Sequence, residues 1–144
     1  SEGLSKWYAA DQRVTAIVRE AQNNDFRVAI SALTPIEAFD GRVTNERLRW
    51  YLSRLRVEPV TEEVSACAMD LLRESGLHGH KYAIDAVAAA TALRSARPVI
   101  VLTSDEDDMS KLCGKPSLQG SGKLFGSLTL AEANNSERSI AFSA

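Results

Sequence analysis

Three acidic positions in this chain of 144 residues stand where carboxylate chemistry could be built. Glu37 follows an apolar segment, Phe26 to Ser31, and the turn that ends in Thr34-Pro35. Asp85 opens an alanine-rich stretch, flanked by Ile84, Ala86, Val87 and Ala88. Asp105 lies in Thr103-Ser104-Asp105-Glu106-Asp107-Asp108, where four acids in a row of six emerge from an apolar run. Two ionised carboxylates ~4 Å apart repel by about 4 kcal/mol at an effective dielectric near 20. A cleft that gathers three of them must protonate some or hold a hard cation. Oxygen ligands without His or Cys suit Mg²⁺ or Mn²⁺, which keep several waters and complete their shell with a phosphate. The chemistry that follows is metal-assisted hydrolysis of a phosphodiester.

Each acid also has a purely local explanation. Glu37 could be the capping-box partner of Thr34, with Pro35 in the first helical position. Asp85 could be a first-turn acid answering a helix dipole. Asp105 and Asp108 could cap the short helix expected over Ser104 to Cys113. His78 and His80 suggest a metal loop, but His-Gly-His between helices reads more simply as a solvated turn. Cys67 reads as a small core residue.

The elements that must position these residues follow from periodicity. Residues 4 to 22 form one helical pattern, closed by Asn23-Asn24. Phe26 to Ser31 is a strand. A short helix from Thr34 ends before Gly41, and Asn45 to Leu55 is helical. Val57 to Val60 has room only for a small strand. Thr61-Glu62-Glu63 caps a helix that Gly76 should stop. Tyr82 to Ser95 is a further helix, and Val99 to Leu102 reads as a strand covered on both faces. In the last thirty residues one strand is expected, Lys123 to Leu130. Strands separated by helices imply an α/β fold with a central parallel sheet, in three layers. The first helix has no strand feeding it, which is unusual for such a fold. Ligands in open parallel sheets bind beyond the carboxyl ends of the strands, where Glu37 and Asp105 fall.

Composition narrows the class. The chain is 44% hydrophobic and 25% charged, with a formal net charge of -2. Those values exclude a disordered or fibrous chain and a protein held to nucleic acid by bulk charge. No apolar run reaches the ~18 residues of a bilayer span. No basic-then-apolar opening marks a signal peptide, and the two cysteines, Cys67 and Cys113, suit a reducing compartment. A cytoplasmic protein is expected.

Three segments together closely resemble PIN domains: Ser31-Ala32-Leu33-Thr34-Pro35-Ile36-Glu37, then His80 to Ala92 around Asp85, then Leu102 to Asp108. Within that family the likeness is to VapC-type toxins of prokaryotic toxin–antitoxin modules. It covers residues 1–114 and leaves 115–144 as a divergent segment expected to be partly disordered. The resemblance implies an α/β/α sandwich and a Mg²⁺- or Mn²⁺-dependent endoribonuclease. Glu37, Asp85 and Asp105 match the second, third and fourth acids of the family's cluster. Asp108 matches an acid that supports the fourth as part of the metal site, and Thr103 or Ser104 would orient the group. The first acid, which in the family ends the first strand, has no counterpart. Ser1-Glu2-Gly3-Leu4 looks like the stretch that directly follows it, so the first strand is expected to be missing.

The sequence thus supports an RNA-cleaving toxin, weakened by loss of that acid, with a non-catalytic scaffold that binds RNA or an antitoxin as the alternative. RNA phosphates could meet Arg42, Arg47, Arg49, Arg54 and Arg56. The resemblance implies two protein contacts, a cognate antitoxin and a homodimer, for which Trp7, Tyr8, Trp50 and Tyr51 supply aromatic candidates.

Overall fold

The computed structural model describes residues 2–39, 41–95, 99–103, 106–113, 117–118, 126–130 and 138–142. Side chains are described over 3–39, 41–95, 101 and 107–113. The fold is mixed α/β. One six-stranded sheet runs in the order β2-β1-β6-β3-β5-β4. The strands are β1 (Phe26–Ser31), β2 (Arg56–Glu58), β3 (Val99–Thr103), β4 (Ser117–Leu118), β5 (Gly126–Leu130) and β6 (Arg138–Phe142). β1 is parallel to both β2 and β6, and β3 is parallel to β6. β5 runs antiparallel to β3 and to β4.

Among the described residues α1 (Glu2–Tyr8) comes first and no strand precedes it, while β6 takes the place between β1 and β3. Its register sets Val28 and Ile100 on either side of Ile140, and Ile30 and Leu102 on either side of Phe142. The slot between β1 and β3 is therefore filled, but from the far end of the chain. β4, β5 and β6 all come from residues 115–144 and join the same sheet as β1, β2 and β3. Arg-Ser-Ile-Ala-Phe is short and half polar, with no alternation strong enough to announce a strand.

The first helix also differs. It divides into α1 (Glu2–Tyr8) and α2 (Gln12–Asn23). Asp11 is the reason: its carboxylate accepts from the N–H groups of Arg13 and Val14, at 3.0 and 3.1 Å, and so starts a new helix. Ala10 absorbs the reversal at φ +59. The apolar period nevertheless continues across the break. Leu4, Trp7, Tyr8, Val14, Val18 and Ala21 share one buried cluster with Val28 and Ile30 of β1 and Tyr51 of α4 (Asn45–Leu52). Trp7 meets Tyr51 edge-on at 4.8 Å, and Tyr8 lies 5.2 Å from the same ring. Three of the four aromatic interface candidates are thus core residues, and only Trp50 is exposed, at 51%.

A second buried cluster joins α5 (Glu62–Ser75), α6 (Gly79–Arg94) and α7 (Glu106–Cys113) to Val101 of β3. Thr61 caps α5 through the N–H of Val64, and Gly76 ends it at φ +68, both as the sequence predicts. Alanines at 86, 88, 89, 90 and 92 are all buried, so α6 packs closely against its neighbours. α6 starts three residues earlier than expected, with non-helical angles at Tyr82 (φ -110°, ψ 15°).

Burial pushes the Tyr8 phenol from 10.0 up to about 12, and its hydroxyl has no hydrogen-bond partner among the described residues. Between those values the unfolded chain ionises while the folded one stays neutral. The unfolded state then binds fewer protons, so stability falls as pH rises through that window. Tyr8→Phe is expected to flatten this loss in melts from pH 9 to 12, and to change stability at pH 7 by less than about 1 kcal/mol. Identical slopes in the two proteins would count against the assignment.

Candidate active site

The site is built from the strand ends upward. Because Ile30 and Leu102 flank Phe142, the carboxyl ends of β1 and β3 are level, about 10 Å apart across one intervening strand. Both chains therefore leave the sheet on the same edge. Buried Ser31 turns the first one outward, its Oγ accepting from the Leu33 N–H at 3.2 Å. The four-residue helix α3 (Thr34–Glu37) follows and carries Glu37 to an exposed position.

The expected capping box does not form. Leu33, in helical conformation, takes the cap position, and its carbonyl accepts from the Ile36 and Glu37 N–H groups at 3.1 Å. Thr34 is instead fully buried, with its hydroxyl unpartnered among the described residues. Such a group costs roughly 1–3 kcal/mol. Glu37 is thus not explained by a capping box with Thr34. The sequence offers no sign of this buried hydroxyl, since Thr-Pro reads as a helix start.

Asp85 lies half-buried on α6. The chain is non-helical at Tyr82, so the regular helix restarts there and Asp85 falls in its first turn, where a carboxylate also answers the helix dipole. From Asp85 to Arg94 the helix rises about 13 Å, the same length that β3 covers from Val99 to Thr103. α6 packs on β1, β3 and β6 and returns to β3 within five residues of Arg94, so it runs against the strands. Asp85 is accordingly set near the level of the strand ends that lead to Glu37 and Asp105.

Asp108 stands inside α7 rather than at its cap, half-buried, and accepts from Lys111 Nζ at 2.8 Å. That hydrogen bond and its charge hold the Lys111 ammonium above the usual lysine range. Lys111 is a site neighbour that the sequence reading passed over. Its spacing of three residues from Asp108 was the available signal. Thr103 ends β3, while Ser104 and Asp105 lie outside the described residues. Among the described residues no three of His, Cys, Asp and Glu gather closely enough to hold a metal ion. His78 and His80 are exposed.

Comparison with known proteins is silent. No family description, no curated protein and no solved structure matches this chain. Site chemistry therefore rests on the residues themselves. Arg42, Arg47 and Arg49 are exposed around α4. Arg54 lies over the Trp50 ring at 3.5 Å, and Arg47 stands 5.8 Å from the Tyr51 centroid. A guanidinium on an exposed indole makes a flat cationic surface. Cys113 does not join this chemistry: burial pushes its thiol up to about 11, and it packs 3.6 Å from the Met109 sulfur. Among the described residues no helix is long and apolar enough to cross a membrane.

Proposed function

We propose that this chain is a PIN-like, metal-dependent endoribonuclease of the VapC kind, built as a three-layer α/β/α sandwich and acting in the cytoplasm. One observation carries the reading. β1 and β3 are parallel and level about β6, so the segments bearing Glu37 and Asp105 leave the same edge of the sheet, where parallel sheets bind ligands. Glu37, Asp85 and Asp105 would hold Mg²⁺ or Mn²⁺, with Asp108 in support and Thr103 and Ser104 orienting the group. The metal would activate a water and neutralise charge on the scissile phosphate. Arg42, Arg47 and Arg49 would grip the RNA backbone by charge alone, which makes binding salt-dependent. Engagement of Asp108 by Lys111 fits a supporting role, since one of its oxygens is already occupied.

The scaffold reading, RNA or antitoxin binding without cleavage, keeps one point in its favour. The residues after Phe142 are Ser143 and Ala144, not an acid. Thermal melts with Mn²⁺ test the ligand assignment directly. An ion that binds only the folded state, at ten times its dissociation constant, stabilises by about 1.4 kcal/mol. A rise of roughly 2–5 °C at millimolar Mn²⁺ is expected. Asp85→Asn should abolish it, and an equal rise in that variant would remove Asp85 from the site. Weak Mn²⁺-dependent cutting of single-stranded RNA, lost in the same variant, favours the nuclease. Salt-sensitive RNA binding without cutting favours the scaffold.

A further inference from the structure

The sheet is open at β2, whose outer side meets no strand among the described residues. Hydrogen bonding decides which backbone groups face that side. The Glu58 carbonyl accepts from the Ala32 N–H at 2.9 Å, so Glu58 turns its backbone toward β1. Successive residues of a strand turn to opposite edges, so Arg56 also faces β1 and Val57 faces outward. Val57 is 41% exposed, and its N–H and C=O have no partner among the described residues. The groups on either side are committed or missing. The Leu55 N–H donates to the Leu52 carbonyl at 3.1 Å, and the Arg54 carbonyl accepts from Gln22 Nε2 at 3.2 Å. Pro59 has no N–H to give. Val57 is thus the residue on this edge that offers both a donor and an acceptor.

A second copy of the chain supplies the complement. In an antiparallel pair, a hydrogen-bonded position exchanges both N–H···O bonds with the residue opposite. Val57 opposite Val57 therefore satisfies both copies at once. The side chains agree with that register. Arg56 of each copy lies opposite Glu58 of the other, in positions where Cα atoms approach to ~4.5 Å. Arg56 and Glu58 are ion-paired within the strand, which leaves it no net charge but one positive and one negative end. Antiparallel copies set unlike ends side by side, the favourable cross-strand arrangement. A slip of two residues opposes Arg56 to Arg56, or Glu58 to Glu58. It also brings Val57 opposite Leu55, whose N–H is taken, or Pro59, which has none. A slip of one brings Val57 opposite residues that face β1. One register alone fits.

We propose that β2 is a homodimer surface, pairing antiparallel with β2 of a second copy about Val57. Two six-stranded sheets then continue as one, with the carboxyl ends of β1 and β3 at opposite margins. This surface is distinct from the aromatic residues Trp7, Tyr8 and Tyr51, which are core. So short an edge buries less than the ~1,200 Å² of a stable interface, and the dimer is weak and reversible. The inference does not rest on the nuclease reading, and it is tested without metal or RNA.

Sedimentation equilibrium of the full chain in low salt, from about 10 µM to 1 mM, is decisive. A monomer–dimer equilibrium with a dissociation constant on the order of 0.1 mM is expected. Val57→Pro removes the outward N–H at an edge position that tolerates proline, and should weaken dimerisation about tenfold or more. Glu58→Arg and Arg56→Glu each oppose like charges across the axis, and each protein alone should be monomeric. Mixed in equal amounts they should associate again, because each supplies the charges that the other lacks. Arg56→Glu and Glu58→Arg combined in one chain keep the complementarity and should dimerise as the unaltered chain does. Phe39→Ser, at an exposed residue after α3, is the control and should change nothing. Thermal melts of dilute protein confirm that each variant folds. A chain that stays monomeric at 1 mM overturns the proposal. Association that a folded Val57→Pro protein retains in full, or a mixture of the two folded charge variants that stays monomeric, overturns it as well.

Discussion

Truncating the chain after Gly114 is expected to unfold it rather than trim it. β6 pairs with β1 over five residues and with β3 over four. Without it those two strands face one another across about 10 Å, twice the spacing that a backbone hydrogen bond can bridge. The row of N–H and C=O groups on each inner edge loses its partners, and each such group left buried costs roughly 1–3 kcal/mol. Several of them exceed the 5–15 kcal/mol of a typical domain. Far-ultraviolet dichroism and urea melts of residues 1–114 should show no cooperative transition. A truncated chain that melts cooperatively near the midpoint of the full one would contradict the central position of β6.

The second large effect concerns activity and rests on the nuclease reading. In the family the missing acid ends the first strand; on the nuclease reading its place would be the end of the strand between β1 and β3, and the strand there is β6, with Phe142 between Ile30 and Leu102. An apolar strand added before Ser1 has no open place between β1 and β3. The informative change is Ser143→Asp, at the residue that follows Phe142 in the chain. A fourth carboxylate should hold metal and phosphate in register, and misplacement by ~1 Å costs about a hundredfold in rate. Mn²⁺-dependent cleavage of single-stranded RNA is therefore expected to rise on the order of a hundredfold, with Asp105→Asn in the same background abolishing it. A well-folded Ser143→Asp protein that binds RNA and cuts no faster would hand the case to the scaffold.

What could be seen in the sequence divides along physical lines. Thr61 and Gly76 were legible because a cap and a left-handed stop act through their own side chains and neighbours. Val99 to Leu102 was legible because burial on both faces demands an unbroken apolar run. β6 was not, because its place is decided by two strands distant in sequence, and nothing in Arg138 to Phe142 encodes them locally. The break at Ala10 was hidden by an apolar period that runs straight through it, although Asp11 was in plain view. Glu37 and Asp85 were singled out by residue type and setting. The buried hydroxyl of Thr34 was misread, since the same Thr-Pro pair serves equally well as a cap or as a wedge under the chain.

The position of β6 also sets a timetable. It is synthesised after every other described element, and residues 104 to 137 must be added between the end of β3 and its first residue. At 5–20 residues per second, β1 and β3 wait roughly 2–7 s on the nascent chain with their facing edges bare. Through that interval the sheet is open to pairing with other chains, a hazard of unpaired strand edges. The level strand ends that frame the acidic site come into line only when β6 enters. Any activity at that edge is accordingly withheld until Phe142 has cleared the ribosome.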